Sequence, residues 1–278
     1  MNAKLVSWAR HCCHTQTVRV IRVLMPIAAV GAVAACGMLL VGTAPVAALR
    51  PTSAPPAATG GPARPTTTPA PLLVRGGALP LGYSTANATR VLTVTAPSSG
   101  NTVATLQAWT KARGGGWLKT GSSVTAHIGA QGMTGSPSES RSATPEGSFT
   151  LTQAFGRYGN PGTRLPYFQT NAADWWISQS GPLYNTHQHC SGSCPFIQGS
   201  PNEHLYYETP YYNHAVVIDY NTPNAPGGVR QGAGSAFFLH VTDGRATAGC
   251  VAIPQATLVS IMRWLTPGAH PRILIGVV

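Results

Sequence analysis

From about Ala88 onward the chain is a succession of short β-branched or alternating apolar runs, and one stretch breaks that pattern. ATRVLTVTAP and NTVATLQAWTK alternate along their length and are separated by the turn residues SSGN, which predicts a hairpin. WLKTGSSVTAHIG and EGSFTLTQAFG continue in strand-like fashion, NHAVVIDYN and SAFFLHVT read as buried strands, and HPRILIGVV closes the chain as a last strand. The exception is PQATLVSIMRW, Pro254 through Trp264. There Leu258, Val259, Ile261, Met262 and Leu265 recur near the helical period, and Pro254 suits a first helical turn. Strands outnumber helices, so the fold class expected is mainly β, a mixed β domain with a few helices. Asn160 to Pro201 is rich in Gly, Pro, Asn and aromatics and reads as long loops. Loops on a strand scaffold commonly carry a binding surface. No internal repeat interrupts this plan.

The front of the chain has a different character. Lys4, Arg10, Arg19 and Arg22 precede an uncharged run from Val23 to Leu49, the pattern of an export signal. Three fates stay open: cleavage after Val46-Ala47-Ala48, lipidation of Cys36 in Val33-Ala34-Ala35-Cys36, or retention as an anchor with its basic side in the cytoplasm. Each puts the remainder outside the cytoplasm, in the cell envelope. The next segment, PTSAPPAATGGPARPTTTPAP, has too little apolar surface to offset the entropy of ordering it. The organisation expected is therefore an export signal or anchor over 1–48, a disordered linker over 49–84 and one domain over 85–278. Charged residues are 9% of the chain and the net charge is +11. That charge suits an anionic envelope or simple solubility. Nucleic acid fits poorly, because the basic residues are scattered and form no recognition motif. Membrane contact is expected only through the N-terminal segment.

Cys12, Cys13 and Cys36 fall in the targeting region, which leaves Cys190, Cys194 and Cys250 in the domain. Outside the cytoplasm thiols tend to pair, and three small residues separate Cys190 from Cys194. A local disulfide is the expectation. The competing reading is a metal site on His187, His189, Cys190 and Cys194, since zinc accepts such mixtures. Cys250 is left over, either an inert buried thiol or a reactive one. Its surroundings favour reactivity. Gly249 precedes it, a flexible loop DGRATAG leads in, and a helix expected from Pro254 places amides nearby that favour a thiolate. His240 ends the strand FFLH and is a candidate base for the thiol. The amides of Gly249 and Cys250 are candidate donors to an oxyanion, and a glycine there allows close backbone approach. Asp243 or a backbone carbonyl would orient His240. His214 either lines the cleft or is structural, and Tyr206, Tyr207, Tyr211 and Tyr212 either wall a groove or pack as a plug.

His240, Thr247, Gly249, Cys250 and Val251 resemble the active-site segment of the YkuD-type L,D-transpeptidases, where a strand ending in His is followed by a loop and Ser/Thr-x-Gly-Cys. Upstream, Thr144, Pro145, Gly147 and Phe149 resemble that family's Thr-Pro-x-Gly-x-Phe element, in the same order. Three departures mark a divergent branch. Ala248 stands where a second His is common, Ala252 stands where Arg or Asn is usual, and the His-to-Cys spacing is short. Arg245, inside the loop, is the candidate replacement for the missing cation. The resemblance implies a strand-rich L,D-transpeptidase-like β-sandwich or barrel. It also implies an exported cysteine acyltransferase acting on peptidoglycan stem tetrapeptides of the cell wall. Cys250 would be the nucleophile, His240 the general base and acid, and Gly249 an oxyanion amide. Arg245, Thr247, Tyr212 and His214 would bind substrate, and neither metal nor organic cofactor is required. A 3→3 cross-link would follow with an amine acceptor, and L,D-carboxypeptidase activity with water. Two rivals remain: a non-catalytic wall-binding domain with the same fold, and a metal-dependent hydrolase on the His187 tract.

Overall fold

The computed structural model describes residues 74–278. The export signal, Cys36 and most of the expected linker lie outside the described residues. The first hairpin forms as its turn residues predict: β1 (Arg90–Ala96) pairs antiparallel with β2 (Val103–Lys111), and β2 with β3 (Trp117–His127). Short strands follow: β4 (Met133–Thr134), β5 (Thr144–Pro145), β6 (Gly147–Thr150), β7 (Ala154–Gly156) and β8 (Tyr167–Gln169). Next come β9 (Asp174–Trp176), β10 (His187–His189) and β11 (Glu203–His204). The chain closes with β12 (Ala215–Val217), β13 (Phe238–Val241), β14 (Val251–Ile253), helix α1 (Gln255–Trp264) and β15 (Arg272–Val277). Ten of these strands form one sheet in the order β6-β15-β1-β2-β3-β14-β13-β12-β7-β8. The fold is thus mainly β, as expected. Among the described residues no helix is long and apolar enough to cross a membrane.

Strand alternation gives the large sheet two buried faces. Leu92 and Val94 of β1, Leu239 and Val241 of β13, Val251 and Ile253 of β14, and Ile273 and Ile275 of β15 belong to the main core. Helix α1 covers that core with Leu258, Ile261 and Met262, together with Leu265 just beyond it. This is the apolar face its sequence period predicts, with Pro254 standing just outside as the cap residue. On the opposite side of the sheet, Phe238 and Cys250 join a second cluster with Phe155, Trp176, Leu205, Tyr212 and Val217.

Two expectations change here. Asn160–Pro201 is not all loop, because β8, β9 and β10 lie within it. β9 pairs with both β10 and β11 in a separate three-stranded sheet. These strands are three residues or fewer, too short for alternation to show, and tertiary pairing forms them. The packed chain also begins before the boundary expected at 85. Gly77 pairs with Trp117, the Gly76 N–H donates to the Gly115 carbonyl, and Leu81 is buried with Val91, Trp109 and Leu274. Removing residues 74–84 would uncover that cluster. A fragment beginning at residue 85 is expected to melt below one beginning at 74. Leu81→Ala alone is expected to cost about 2–3 kcal/mol, the usual range for a buried leucine. Identical thermal transitions for the two fragments would contradict this boundary.

Candidate active site

β13 and β14 are parallel neighbours with Leu239 opposite Val251 and His240 opposite Ala252. Continuing that register by one residue puts Cys250 beside Phe238. The Phe238 N–H approaches the Cys250 Sγ at 3.4 Å, and the thiol donates to the Ala236 carbonyl at 3.3 Å. Side chains two residues apart share a sheet face, so Cys250 and His240 lie on one face, as diagonal neighbours roughly 8 Å apart at Cα in ideal sheet geometry. Parallel pairing thus brings residues ten apart in sequence to neighbouring positions on one face.

The loop that returns the chain from β13 to β14 is held by two threonines. The Thr247 hydroxyl donates to the Cys250 carbonyl at 2.7 Å and accepts from the Gly249 N–H at 3.0 Å. The Thr144 hydroxyl reaches the same carbonyl at 3.5 Å and accepts from the Gly129 N–H at 2.9 Å. Gly129 in turn bridges Thr247, whose N–H donates to the Ile128 carbonyl. The upstream Thr-Pro element therefore ends at the backbone of Cys250. Gly249 has φ +145°, and a Cβ there would stand 2.5 Å from Phe237 Cε1 and 3.0 Å from the Ala143 carbonyl oxygen. Only glycine fits that turn. One expectation is corrected: the Gly249 N–H, read as an oxyanion donor, is committed to Thr247.

His240 is buried, and its Nδ1 lies 2.8 Å from the Val241 carbonyl oxygen. That contact assigns the proton to Nδ1 and leaves the lone pair on Nε2. The carbonyl, rather than Asp243, orients the ring. Burial pushes the imidazole down to about 4, against weaker opposing effects of the Val241 carbonyl and Asp243. Burial likewise pushes the Cys250 thiol well above its ordinary value, helped by the Glu203 carboxylate and opposed by the Phe238 N–H. Both groups therefore rest uncharged. This corrects the expectation of a thiolate held at a helix entrance. β14 separates Cys250 from α1 by three residues of extended chain, roughly 10 Å, beyond the reach of the first-turn amides.

The small sheet covers this face. Register pairs both His187 and Glu203 with Trp176, so all three side chains belong to one side of that sheet. The Trp176 ring meets Phe238 edge-on at 4.9 Å, and His187 stacks on Phe168 at 3.9 Å. The Tyr212 hydroxyl donates to Glu203 Oε2 at 2.5 Å, and the Tyr212 ring stands 5.6 Å from that of His240. At the rim, the Tyr211 hydroxyl donates to Asp243 at 2.8 Å, and Arg245 binds both. Burial would raise the Asp243 pKa, but hydrogen bonds from Arg245 and Tyr211 prevail and hold it at about 2.

The structure thus brings together Cys250, His240, Gly249, Thr247 and Tyr212, with Arg245 exposed at the rim. His214 falls one residue before Ala215, the register partner of His240, and so belongs to the other side of the strand alternation. It is buried against Tyr158, and its Nδ1 has no hydrogen-bond partner. Cys190 and Cys194 are disulfide-bonded, at Sγ–Sγ 2.09 Å. His187 and His189 both contact Asp174 Oδ1, at 2.8 and 2.9 Å. The metal reading thereby loses its sulfur donors, and among the described residues no group of three or more His, Cys, Asp or Glu is arranged to hold a metal ion. Sequence reasoning missed Glu203 and Trp176. The available signal was scarcity: Glu203 is one of only 7 acidic residues.

Buried His240 links the site to stability. Unfolded, its imidazole takes a proton near pH 6.5; folded, only near 4. Between those values the unfolded chain binds the extra proton. The contribution of neutral His240 is therefore complete above about pH 6.5 and is lost as pH falls toward 4. Urea unfolding at pH 7 and 4.5 is expected to show wild type losing on the order of 2–3 kcal/mol more than His240→Gln. Parallel losses in the two proteins would contradict this.

A family model for the YkuD L,D-transpeptidase catalytic domain matches residues 110–275. Neither the curated proteins nor the solved structures give a match.

Proposed function

The chain belongs to the YkuD L,D-transpeptidase catalytic domain family, and from that premise we propose that it is an exported cysteine acyltransferase working through a Cys250 thioester on peptidoglycan stem tetrapeptides. One observation carries the reading: the described free cysteine shares a sheet face with a histidine whose Nδ1 is tied to a carbonyl, so that Nε2 is the basic nitrogen.

The resting pair is neutral, so attack and proton transfer belong together. The Cys250 thiol gives its proton to His240 Nε2 as sulfur bonds to the carbonyl carbon of the third stem residue. The backbone amide of Cys250 is the candidate donor to the oxyanion. The C–N bond to D-Ala then breaks, and the leaving nitrogen takes the proton from His240. An amine on a second stem peptide attacks the thioester, the C–S bond breaks and the thiol is restored. Water in place of the amine gives an L,D-carboxypeptidase. Arg245 is the candidate for holding a substrate carboxylate, because Ala252, where the family resemblance expects a cation or amide, is buried opposite His240 and carries no polar group.

The burial of Cys250, 2% exposed, favours the second reading, a wall-binding domain that has lost turnover. Intact-mass analysis with a carbapenem, and with a disaccharide-tetrapeptide, separates the two. Wild type is expected to form the acyl adduct and to release D-Ala. Cys250→Ala is expected to do neither, and to lose about 1–2 kcal/mol of stability because the thiol is packed. His240→Gln is expected to acylate roughly 10²–10⁴-fold more slowly. An adduct on the Cys250→Ala protein, or a folded wild type that forms none and releases no D-Ala, would sink this proposal.

A further inference from the structure

Resting on the acyltransferase reading, we propose that Tyr207, Tyr206 and Arg157 form a subsite for the sugar that carries the stem peptide. Their placement supports this. Phe155 of β7 is the register partner of Ala215, and Ala215 that of His240, so Phe155 stands level with His240. Phe155 also packs in the cluster that holds Cys250. Arg157 lies two residues further on, and strand alternation returns its side chain to the same face. There its guanidinium sits 4.5 Å from the centre of the Tyr206 ring. Leu205, the chain neighbour of Tyr206, is buried in the same cluster as Phe155. The group thus continues the site face outward, past the level of His240.

The chemistry of the group fits a pyranose. Tyr207 is 58% exposed, the most exposed tyrosine among the described residues. Its ring is nonetheless fixed in place. It stands nearly perpendicular to His204 at 4.5 Å and to Tyr206 at 5.2 Å, and His204 is stacked on Trp175 at 3.9 Å. A rigid tyrosine offers a large amphipathic contact area at little cost in side-chain entropy. A pyranose has a face of C–H groups that covers such a ring, and an edge of hydroxyls and amides that needs hydrogen bonds. Among the described residues no protein group hydrogen-bonds the Tyr206 or Tyr207 hydroxyl or the Arg157 guanidinium. Arg157 also has no carboxylate partner there, unlike Arg245, which is paired with Asp243. Its planar fork of donors, laid on Tyr206, is set to bond the oxygens of a sugar or its N-acetyl group.

Distance selects the sugar over the peptide. The sheet order β14-β13-β12-β7 and its register put Arg157 three strands across and four residues along from Cys250. In ideal sheet geometry that is roughly 20 Å at Cα. An extended chain spans at most about 3.5 Å per residue, so the stem from its reacting carbonyl back to its first residue covers roughly 10 Å. The bare peptide therefore stops short of Tyr206 and Tyr207. The disaccharide begins where the peptide ends and continues outward to them. Such a contact is the same before and during attack at the carbonyl, so it lowers KM and leaves kcat alone.

The experiment compares a disaccharide-tetrapeptide with the same tetrapeptide lacking the sugar, and reads D-Ala release by the full chain. Wild type is expected to show the lower KM for the sugar-bearing substrate. Tyr207→Ala and Arg157→Ala are each expected to raise that KM about fivefold to tenfold, with kcat and the KM for the bare tetrapeptide unchanged. Tyr207→Phe, which keeps the ring, is expected to retain most of the affinity. Equal shifts for the two substrates, or no shift for either, overturn the proposal and leave the acyltransferase reading intact. Wild type with one KM for both substrates overturns it without any variant. Should wild type release no D-Ala, the acyltransferase reading fails and calorimetric titration with the disaccharide-tetrapeptide decides the subsite. Weaker binding by Tyr207→Ala than by wild type upholds it, and equal binding, or none by wild type, overturns it.

Discussion

The parallel pairing of β13 with β14 is the constraint on which the site depends. Antiparallel strands joined by the same loop would run Cys250 away from the start of its partner. Here the loop carries the chain back along β13, and the register Leu239 opposite Val251 sets the cysteine beside Phe238. A slip of one residue would turn Cys250 toward the main core and leave His240 without it. The hydrophobic pattern guards against that slip, because Leu239, Val241, Val251 and Ile253 all need the helix-covered face.

The loop that makes this possible has little regular structure, and a small set of hydrogen bonds holds it. Thr144 and Thr247 come from elements about a hundred residues apart and meet at the Cys250 carbonyl. The threonines of the two motifs thus act together to fix the backbone at Cys250. Gly249 follows from the same geometry, since its positive φ and the nearby Phe237 ring leave no space for a side chain.

Covering the site has an electrostatic consequence. The small sheet and the Tyr211–Tyr212 turn bury both His240 and Cys250, and each is driven toward its neutral form. A preformed thiolate–imidazolium pair is therefore disfavoured at rest. Two carboxyl groups stand near this pair. Asp243 is paired at the rim with Arg245, and Glu203 is held over the site face by a tyrosine hydroxyl. Beside this cover lies the Cys190–Cys194 disulfide, packed against the cluster of Trp175, Ile177 and Phe196 on the outer side of the small sheet.

The sequence by itself determined the elements whose signal is local. The β1–β2 hairpin follows from alternation and its SSGN turn, α1 from a 3.6-residue apolar period, and β13 and β15 from short apolar runs. Cys250 and His240 could be singled out as a candidate pair too, because a cysteine after glycine and a histidine ending a strand stand out without coordinates, and the structure sets them on one sheet face. Only the tertiary structure decided what depends on pairing at a distance. The three-residue strands β9 and β10 carry too little pattern to announce themselves, so the cover they form, and the places of Trp176 and Glu203 in it, were invisible. The structure likewise chose the Val241 carbonyl over Asp243 as the partner of His240, and raised the thiol pKa where a helix entrance had suggested the reverse. The physical reason is the same in each case: hydrogen-bond partners and burial are properties of what packs against a residue, and here the packing residues come from strands far away in the chain.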